Sequence, residues 1–225
     1  MKYSIVVPCH NEEESIQKVI QSIPQEIDEI IVVDNNSTDK TAMIASRLGA
    51  RVIFEGGRGY GKALKTGFQN ARGDIIITFD GDGQHPAGKI LEMVRYLEEK
   101  KLDFLSGKRF PVDSSSLSFT RIFGNKLLTF SVNILFNLKI RDSQSGMWVF
   151  RRKVNEKIIL ESDGMALSEE IKIKVCLHPS LVFGEYPIPY HQRTGNSKLS
   201  VVKDGLKNLF LLLRLRLIER KTWMR

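Results

Sequence analysis

The chain has 225 residues, of which 42% are hydrophobic and 27% charged, with a formal net charge of +8. That balance suits one sizeable globular domain and excludes a disordered chain or a membrane-embedded bundle. Cys9 and Cys176 are its only cysteines, so neither a disulfide framework nor a zinc spacing can be built, and a reducing compartment fits.

The N-terminus enters a strand-like run at once, Tyr3–Pro8, with no basic leader and apolar core of a secretory signal before it. Further strand-like runs follow at Glu29–Val33, Arg51–Glu55, Ile75–Phe79 and Asp103–Ser106. Helical patterns lie between them, near Glu13–Ser22, Lys40–Leu48, Gly61–Asn70 and Ala87–Glu99. Each strand is short and apolar on both faces, as expected of a parallel sheet covered by helices. The β-α-β-α order means a Rossmann-like α/β fold, in which ligands sit beyond the carboxyl ends of the strands.

Those ends are polar. Strand one runs into His10-Asn11-Glu12-Glu13 and strand two into Asp34-Asn35-Asn36-Ser37-Thr38-Asp39. Strand four runs into Asp80-Gly81-Asp82-Gly83-Gln84-His85-Pro86 and strand five into Gly107-Lys108-Arg109. Asp80 and Asp82 are the sharpest feature: two carboxylates one residue apart on a glycine turn can converge on one hard cation, Mg²⁺ or Mn²⁺.

Rival readings of this turn fit poorly. A haloacid-dehalogenase-type phosphatase carries its Asp-x-Asp on the first strand, not the fourth. A calcium loop needs a twelve-residue register of acids, which Gln84-His85-Pro86 breaks. Gly56 to Lys62 nearly reads as a P-loop, but Ala63 stands where a metal-binding hydroxyl is required. Lys62 stays a candidate for donor contact. Neither cysteine is paired with an evident base, and the four histidines show no ligand spacing; His85 is expected behind the metal ligands and His178 in a structural role.

After Arg109 the alternation stops. A Ser-rich loop leads to an amphipathic stretch, Phe119–Leu138, read either as a packed helix or as one wall of an apolar acceptor groove. A polar loop, Arg141 to Gly146, precedes a second strand-helix portion ending at Tyr190, followed by a Gly/Ser loop from Arg193 to Ser200 and a last helix. From Lys203 onward seven Lys or Arg face two acids, Asp204 and Glu219. This basic end beside Leu209–Leu213 suits an anionic membrane surface. No stretch has the roughly 20 consecutive apolar residues of a membrane span.

The motifs resemble those of GT-A fold glycosyltransferases of family 2, most of all the dolichyl-phosphate mannose and glucose synthase group. Val6-Val7-Pro8-Cys9-His10-Asn11-Glu12 is similar to the family's V-V-P-x-Y-N-E, with His10 in place of Tyr. Val32 to Thr41 resembles V-V-D-D-x-S-x-D-x-T, and Asp80 to Pro86 matches D-x-D-x-Q-H-P. Asp142 to Arg151, Gly164 to Glu170 and Arg193 to Lys198 resemble three later family segments, the last one residue short.

The resemblance implies a GT-A domain over residues 1–200, with a nucleotide-sugar half (1–110) and an acceptor half (111–200), and a basic amphipathic helix over 201–225. It implies a nucleotide-sugar pocket lined by Pro8, His10, Asn11, Glu12, Val32, Asp34, Lys62, Asp80, Gly81, Asp82 and Lys198. Asp80, Asp82 and Gln84 would hold Mg²⁺ or Mn²⁺. Arg109, Arg193 and Lys198 would surround the phosphates, and Arg121, Ser145 and Gly146 would meet the acceptor. Asp82, Arg109, Glu170 and Arg193 would carry the chemistry, an inverting transfer of a sugar from a GDP- or UDP-sugar to a polyprenyl phosphate. An ionised phosphate acceptor needs no strong base. A saccharide acceptor would need one, with Glu169 or Glu170 first in line. Nucleic acid is not expected as a partner. The expected location is cytoplasmic, on the inner face of a membrane, docked directly or through a small membrane partner subunit.

Overall fold

A computed structural model describes residues 1–109, 119–192, 205 and 208–217. The first five strands are β1 (Tyr3–Cys9), β2 (Glu29–Asp34), β3 (Arg51–Phe54), β4 (Ile75–Thr78) and β5 (Phe104–Lys108). Helices α1 (Ile16–Ser22), α2 (Thr41–Arg47), α3 (Tyr60–Asn70) and α4 (Ile90–Glu99) alternate with them. The second half adds α5 (Phe119–Phe136), β6 (Trp148–Arg151), α6 (Lys153–Lys157), α7 (Leu167–Leu177) and β7 (Phe183–Pro187), and a further helix covers 208–217.

The strands form one seven-stranded sheet in the order β3-β2-β1-β4-β6-β5-β7. All neighbours are parallel except β6, which runs antiparallel to both β4 and β5. The mainly parallel α/β sheet expected from the sequence is therefore present, with one difference: β6 is inserted between the fourth and fifth strands. Its reversed direction brings its amino end, with the loop before it, to the edge where the other strands have their carboxyl ends.

Alternation along each strand divides the core. Ile5, Val7, Ile75, Ile77 and Val149 pack with α1, α2 and α4, while Val6, Ile76, Trp148 and Phe150 pack with α3, α6 and α7. A period of two delivers side chains to both faces, and each fully buried one contributes about 1.5–3 kcal/mol. Gly67 lets α3 lie close on the sheet, since a Cβ there would run into Val6 Cγ1. Val132, Phe136, Ile173, Leu212 and Leu215 form a third cluster joining α5, α7 and the 208–217 helix.

The chain runs outward from β1 to β3 and then returns to place β4 on the other side of β1. That switch opens a crevice between the carboxyl ends of β1 and β4.

Candidate active site

At the rim of the crevice the loops after β1 and β2 are clasped together. Asn11 Oδ1 accepts the Thr38 backbone N–H at 2.7 Å, and the Asn11 and Glu12 backbone N–H groups donate to Ser37 Oγ at 3.0 Å and Thr41 Oγ1 at 2.8 Å. Asp34 Oδ1 accepts the Ser37 N–H at 3.1 Å. Asn35 draws in the glycine-rich loop: its Nδ2 donates to the Gly57 carbonyl at 2.7 Å and its Oδ1 accepts the Gly59 N–H at 2.8 Å. Lys62 lies on the first turn of α3 with its Nζ 3.5 Å from Glu55. Pro8, one residue before the end of β1, lies opposite Val33.

Val32 corrects an expectation. Its side chain has no exposure and packs in the core with Ile5 and Val7, because it falls in mid-strand on the face covered by helices. It presents nothing to a nucleotide.

The Asp80-Gly81-Asp82 turn is held from several sides. Ser15 Oγ donates to the Gly81 carbonyl at 2.6 Å, and Asp82 Oδ1 accepts the Gln84 N–H at 3.0 Å. Tyr60 donates its hydroxyl to Asp80 Oδ1 at 3.0 Å. His85 lies behind the turn, where Nδ1 accepts the Asp80 N–H at 3.0 Å and Nε2 is 3.4 Å from Asp80 Oδ2. Burial pulls His85 down to about 4, so the ring is neutral near pH 7. With Nδ1 accepting, its proton is on Nε2, facing the carboxylate.

The Gln84 amide is engaged on both sides: Oε1 accepts the Tyr190 hydroxyl at 2.9 Å and Nε2 donates to the His191 carbonyl at 3.2 Å. In this structure Gln84 ties the turn to the segment after β7. Cys9 Sγ is buried beneath Gly81, and burial raises its thiol well above the usual range, which leaves no thiolate for nucleophilic work.

Across the crevice stands the 142–146 loop. Thr78 Oγ1 donates to the Gly146 carbonyl at 2.5 Å and accepts the Trp148 N–H at 2.8 Å. Gly146 lies so near the turn that a Cβ would sit 2.5 Å from the Tyr60 hydroxyl and 3.4 Å from Asp80 Oδ2. The bare backbone lets the loop approach the Tyr60 hydroxyl and the Asp80 carboxylate closely. The donor chemistry of Asp80 and Asp82 suits a cation of the Mg²⁺ class, which binds through one or two carboxylates and completes its shell with phosphate and water. No group of three acidic, His or Cys ligands occurs among the described residues.

The loop is anchored from below. Arg109 donates from Nε and Nη2 to the two oxygens of Asp142 at 2.8 and 2.9 Å, and its guanidinium lies 5.1 Å from the Tyr190 ring centre. Burial works against the Arg109 charge, yet Asp142 holds the guanidinium above its usual range. The expected phosphate role of Arg109 therefore meets a guanidinium already paired in a buried bidentate bridge. Lys172 Nζ donates to the carbonyls of Asp142, Ser143 and Ser145 at 3.0, 2.9 and 2.8 Å. Ser145 also takes the Trp148 indole N–H on its carbonyl at 2.7 Å.

Glu170 is a second correction. Its carboxylate accepts the N–H groups of Glu161 and Ser162, each at 2.8 Å, and pairs with Lys174 at 2.7 Å. Burial raises it, but these donors win and hold it below the usual range, so it clamps the 161–162 loop and is no base. Its neighbour Glu169 turns the other way, accepts from the Gln144 amide and is pushed up to about 8 by burial.

The structure thus brings Asp80, Gly81, Asp82 and Gly146 together around one crevice. Arg121 lies half-buried on the first turn of α5. Arg193 and Lys198 lie outside the described residues. Tyr60, Asp142, Lys172 and Tyr190 belong to the site without having been singled out from sequence. Tyr60 and Asp142 stand inside motifs that were visible. Lys172 lies in the segment Glu169 to Lys174, from which only the two glutamates were singled out.

Comparison with known proteins agrees with this geometry. Residues 4–159 match the model for glycosyl transferase family 2. A low-salt glycan biosynthesis hexosyltransferase, Agl6 of Haloferax volcanii, is 30% identical over 218 residues, 93% of this chain; the chain spans only 52% of that relative's length. A dolichyl-phosphate hexose transferase of the same organism is 27% identical over 205 residues, covering 90% of this chain and 88% of that protein. Among solved structures, glucosyl-3-phosphoglycerate synthase from Mycobacterium tuberculosis, in complex with Mn²⁺, UDP and phosphoglyceric acid, superposes with a TM-score of 0.77. The identity there is 20%, over 96% of this chain and 78% of that one, so the likeness is one of fold.

Proposed function

The chain belongs to glycosyl transferase family 2, and on that premise we propose that it transfers a hexose from a nucleoside diphosphate sugar to a polyprenyl phosphate. The observation that carries the reading is the pairing of Asp80 and Asp82 with the bare backbone of Gly146 at the β1–β4 switch point. The name of the dolichyl-phosphate hexose transferase relative supports the acceptor class.

In this reading the loops after β1 and β2 take the nucleoside, with Pro8, His10, Asn11, Glu12 and Asp34 around it. Asp80 and Asp82 would hold Mg²⁺ or Mn²⁺, which when bound neutralises the charge that develops on the leaving diphosphate. The Tyr60 hydroxyl and the neutral His85 ring hold the Asp80 carboxylate in place, so its orientation is set before donor arrives. The acceptor is assigned to the side of Arg121 and the 142–146 loop, where Ser145 and Gly146 are themselves buried and Gln144 is partly exposed. A phosphate oxyanion is ionised near neutral pH and attacks the anomeric carbon in line, without a proton to remove. Arg193 and Lys198 remain assigned to the phosphates.

A membrane surface is the proposed setting. Phe123, Leu127, Phe130 and Ile134 recur at helical spacing on the outer face of α5, each more than half exposed. Phe210, Leu213 and Leu217 continue exposed apolar surface on the 208–217 helix. Neither helix contains a carboxylate, while Arg121, Lys126, Arg214 and Arg216 are basic. An apolar stripe among cations complements an anionic lipid surface. No helix among the described residues is long and apolar enough to cross a membrane.

One observation favours a second reading, a saccharide acceptor. Glu169 is buried with its carboxyl pushed up to about 8, a value suited to taking a proton from a hydroxyl. The two readings separate in one assay. The chain is incubated with Mn²⁺ or Mg²⁺, a panel of labelled GDP-mannose, UDP-glucose and UDP-GlcNAc, and both short-chain dolichyl phosphate and a panel of oligosaccharides as acceptors, then extracted into organic solvent. Label in the lipid phase is expected for one donor. Label only in water-soluble glycan favours the second reading, and no transfer from any donor refutes both.

A further inference from the structure

Lys172 occupies a position that a packed helix ordinarily gives to an apolar residue. Its neighbours on α7, Ile171, Ile173 and Val175, are core residues, and Lys172 itself has no exposure. Burying an ammonium is costly unless its donors are met. Here the Nζ group donates to three carbonyls, those of Asp142, Ser143 and Ser145, which matches the three hydrogens of the charged form. All three belong to one loop. That loop carries Asp142, which grips Arg109, and Gly146, which lies against Asp80 and Tyr60. The indole of Trp148, just beyond the loop, has its ring centre 5.9 Å from Nζ.

We propose that Lys172 is a positioning residue of the transfer site: by binding three carbonyls of the 142–146 loop it keeps Gly146 against Asp80, and so sets the wall that the sugar and acceptor meet. This rests on the reading of Asp80 and Asp82 as the donor-diphosphate centre. The link runs from α7 through the loop to the metal-binding turn, and Lys172 touches neither donor nor acceptor.

The charge state of Lys172 is part of the device. Burial opposes the ammonium, Asp142 favours it, Arg109 opposes it, and Glu185 and Glu169 favour it; the balance pulls the group down to about 7. A neutral amine has two hydrogens, so deprotonation leaves one of the three carbonyls without its donor. The loop then loosens as pH rises through that value.

The test compares the full chain with Lys172→Arg and Lys172→Met, all in a Trp223→Phe background so that Trp148 is the only tryptophan. Trp148 emission is followed from about pH 5.5 to about pH 9, which requires no substrate. The parent should show a transition near 7 that both variants lack; a flat parent profile overturns the proposal. Transfer is then measured with the donor and acceptor that the panel identifies. Lys172→Met should lose about tenfold or more in kcat while calorimetric binding of Mn²⁺ with the matching nucleoside diphosphate stays within about twofold. Lys172→Arg stays charged and should keep more of the activity, without an alkaline fall. A Lys172→Met protein as active as the parent refutes the idea. If that variant does not fold, the arginine variant decides, and an alkaline fall like the parent's counts against Lys172. Absence of transfer in the parent would instead sink the donor-site reading, leaving the Trp148 titration to decide whether Lys172 controls the loop.

Discussion

The Arg109 guanidinium meets the Asp142 carboxylate side-on, through two hydrogen bonds of 2.8 and 2.9 Å, with 7% and none of the two side chains exposed. The Arg109 backbone N–H reaches the same carboxylate at 3.1 Å. One acid thus holds both the end of β5 and the loop that faces the Asp80-Gly81-Asp82 turn. Asp142→Asn should destabilise the fold by about 3–5 kcal/mol, because a buried guanidinium is left without its counter-charge. Urea unfolding measures this. Burial raises Asp142, but Arg109 outweighs it and holds the group at about 2. Its stabilising effect is therefore full above the ordinary carboxylate value and fades as pH falls towards 2.

Asp82→Ala should abolish metal-dependent transfer, and the conservative Asp82→Asn, which keeps an oxygen for the Gln84 N–H, should do the same with an unfolding midpoint closer to that of the parent. A loss of about a hundredfold or more is expected where a group holding the leaving-group charge is removed. Undiminished transfer by either variant would falsify the metal assignment.

Gly146→Ala places a methyl 2.5 Å from the Tyr60 hydroxyl. It should lower transfer by disturbing the Tyr60–Asp80 hydrogen bond, at little cost to the rest of the core. Adding Tyr60→Phe removes the clashing oxygen, so part of the activity should return in the double variant. Equal losses in Gly146→Ala with and without Tyr60→Phe would show that the two do not couple.

Glu169 carries the opposite pH sign to Asp142. Its folded value, about 8, lies above its ordinary one, so the folded chain holds a proton there that the unfolded chain releases. The associated stability is complete below the ordinary carboxylate value and is lost as pH rises through about 8. Glu169→Gln mimics the protonated form. It should raise the thermal midpoint at alkaline pH and change it little in mild acid. If a saccharide is the acceptor, the same variant should also lose transfer.

Replacing Phe123, Phe130 and Ile134 together by serine removes exposed apolar surface without touching Val132 or Phe136 on the inner face of α5. Co-sedimentation with vesicles containing anionic lipid should fall by about tenfold or more, at about 0.8 kcal/mol per buried methylene lost, while the unfolding midpoint holds. Neutral vesicles should bind the parent chain less well. Binding unaffected by the triple change would remove this face from the membrane reading.

The sequence by itself determined the α/β class, because short strands apolar on both faces require helices on both sides, whatever the order of the strands. It also located the crevice: polar residues after β1, β2 and β4 had to share one edge, and Asp80-Gly81-Asp82 with Gln84-His85-Pro86 was specific enough to stand out. Val32 was misread because the family motif runs from mid-strand core residues to Asp34 at the carboxyl end of β2, and a sequence match does not say which of them face the crevice.

Only the tertiary structure decided how the second half completes the site. Strand pairing is set by long-range packing, so nothing local foretold that β6 would enter antiparallel between β4 and β5 and bring Gly146 to Asp80. Glu169 and Glu170 are adjacent and identical in type, yet the helix turns successive side chains about 100° apart. One therefore clamps a loop through two backbone N–H groups while the other is buried beside Gln144. Lys172 is fully buried because three carbonyls from a distant loop are there to receive it. Burial and partners belong to the fold, and they set what each of these charges can do.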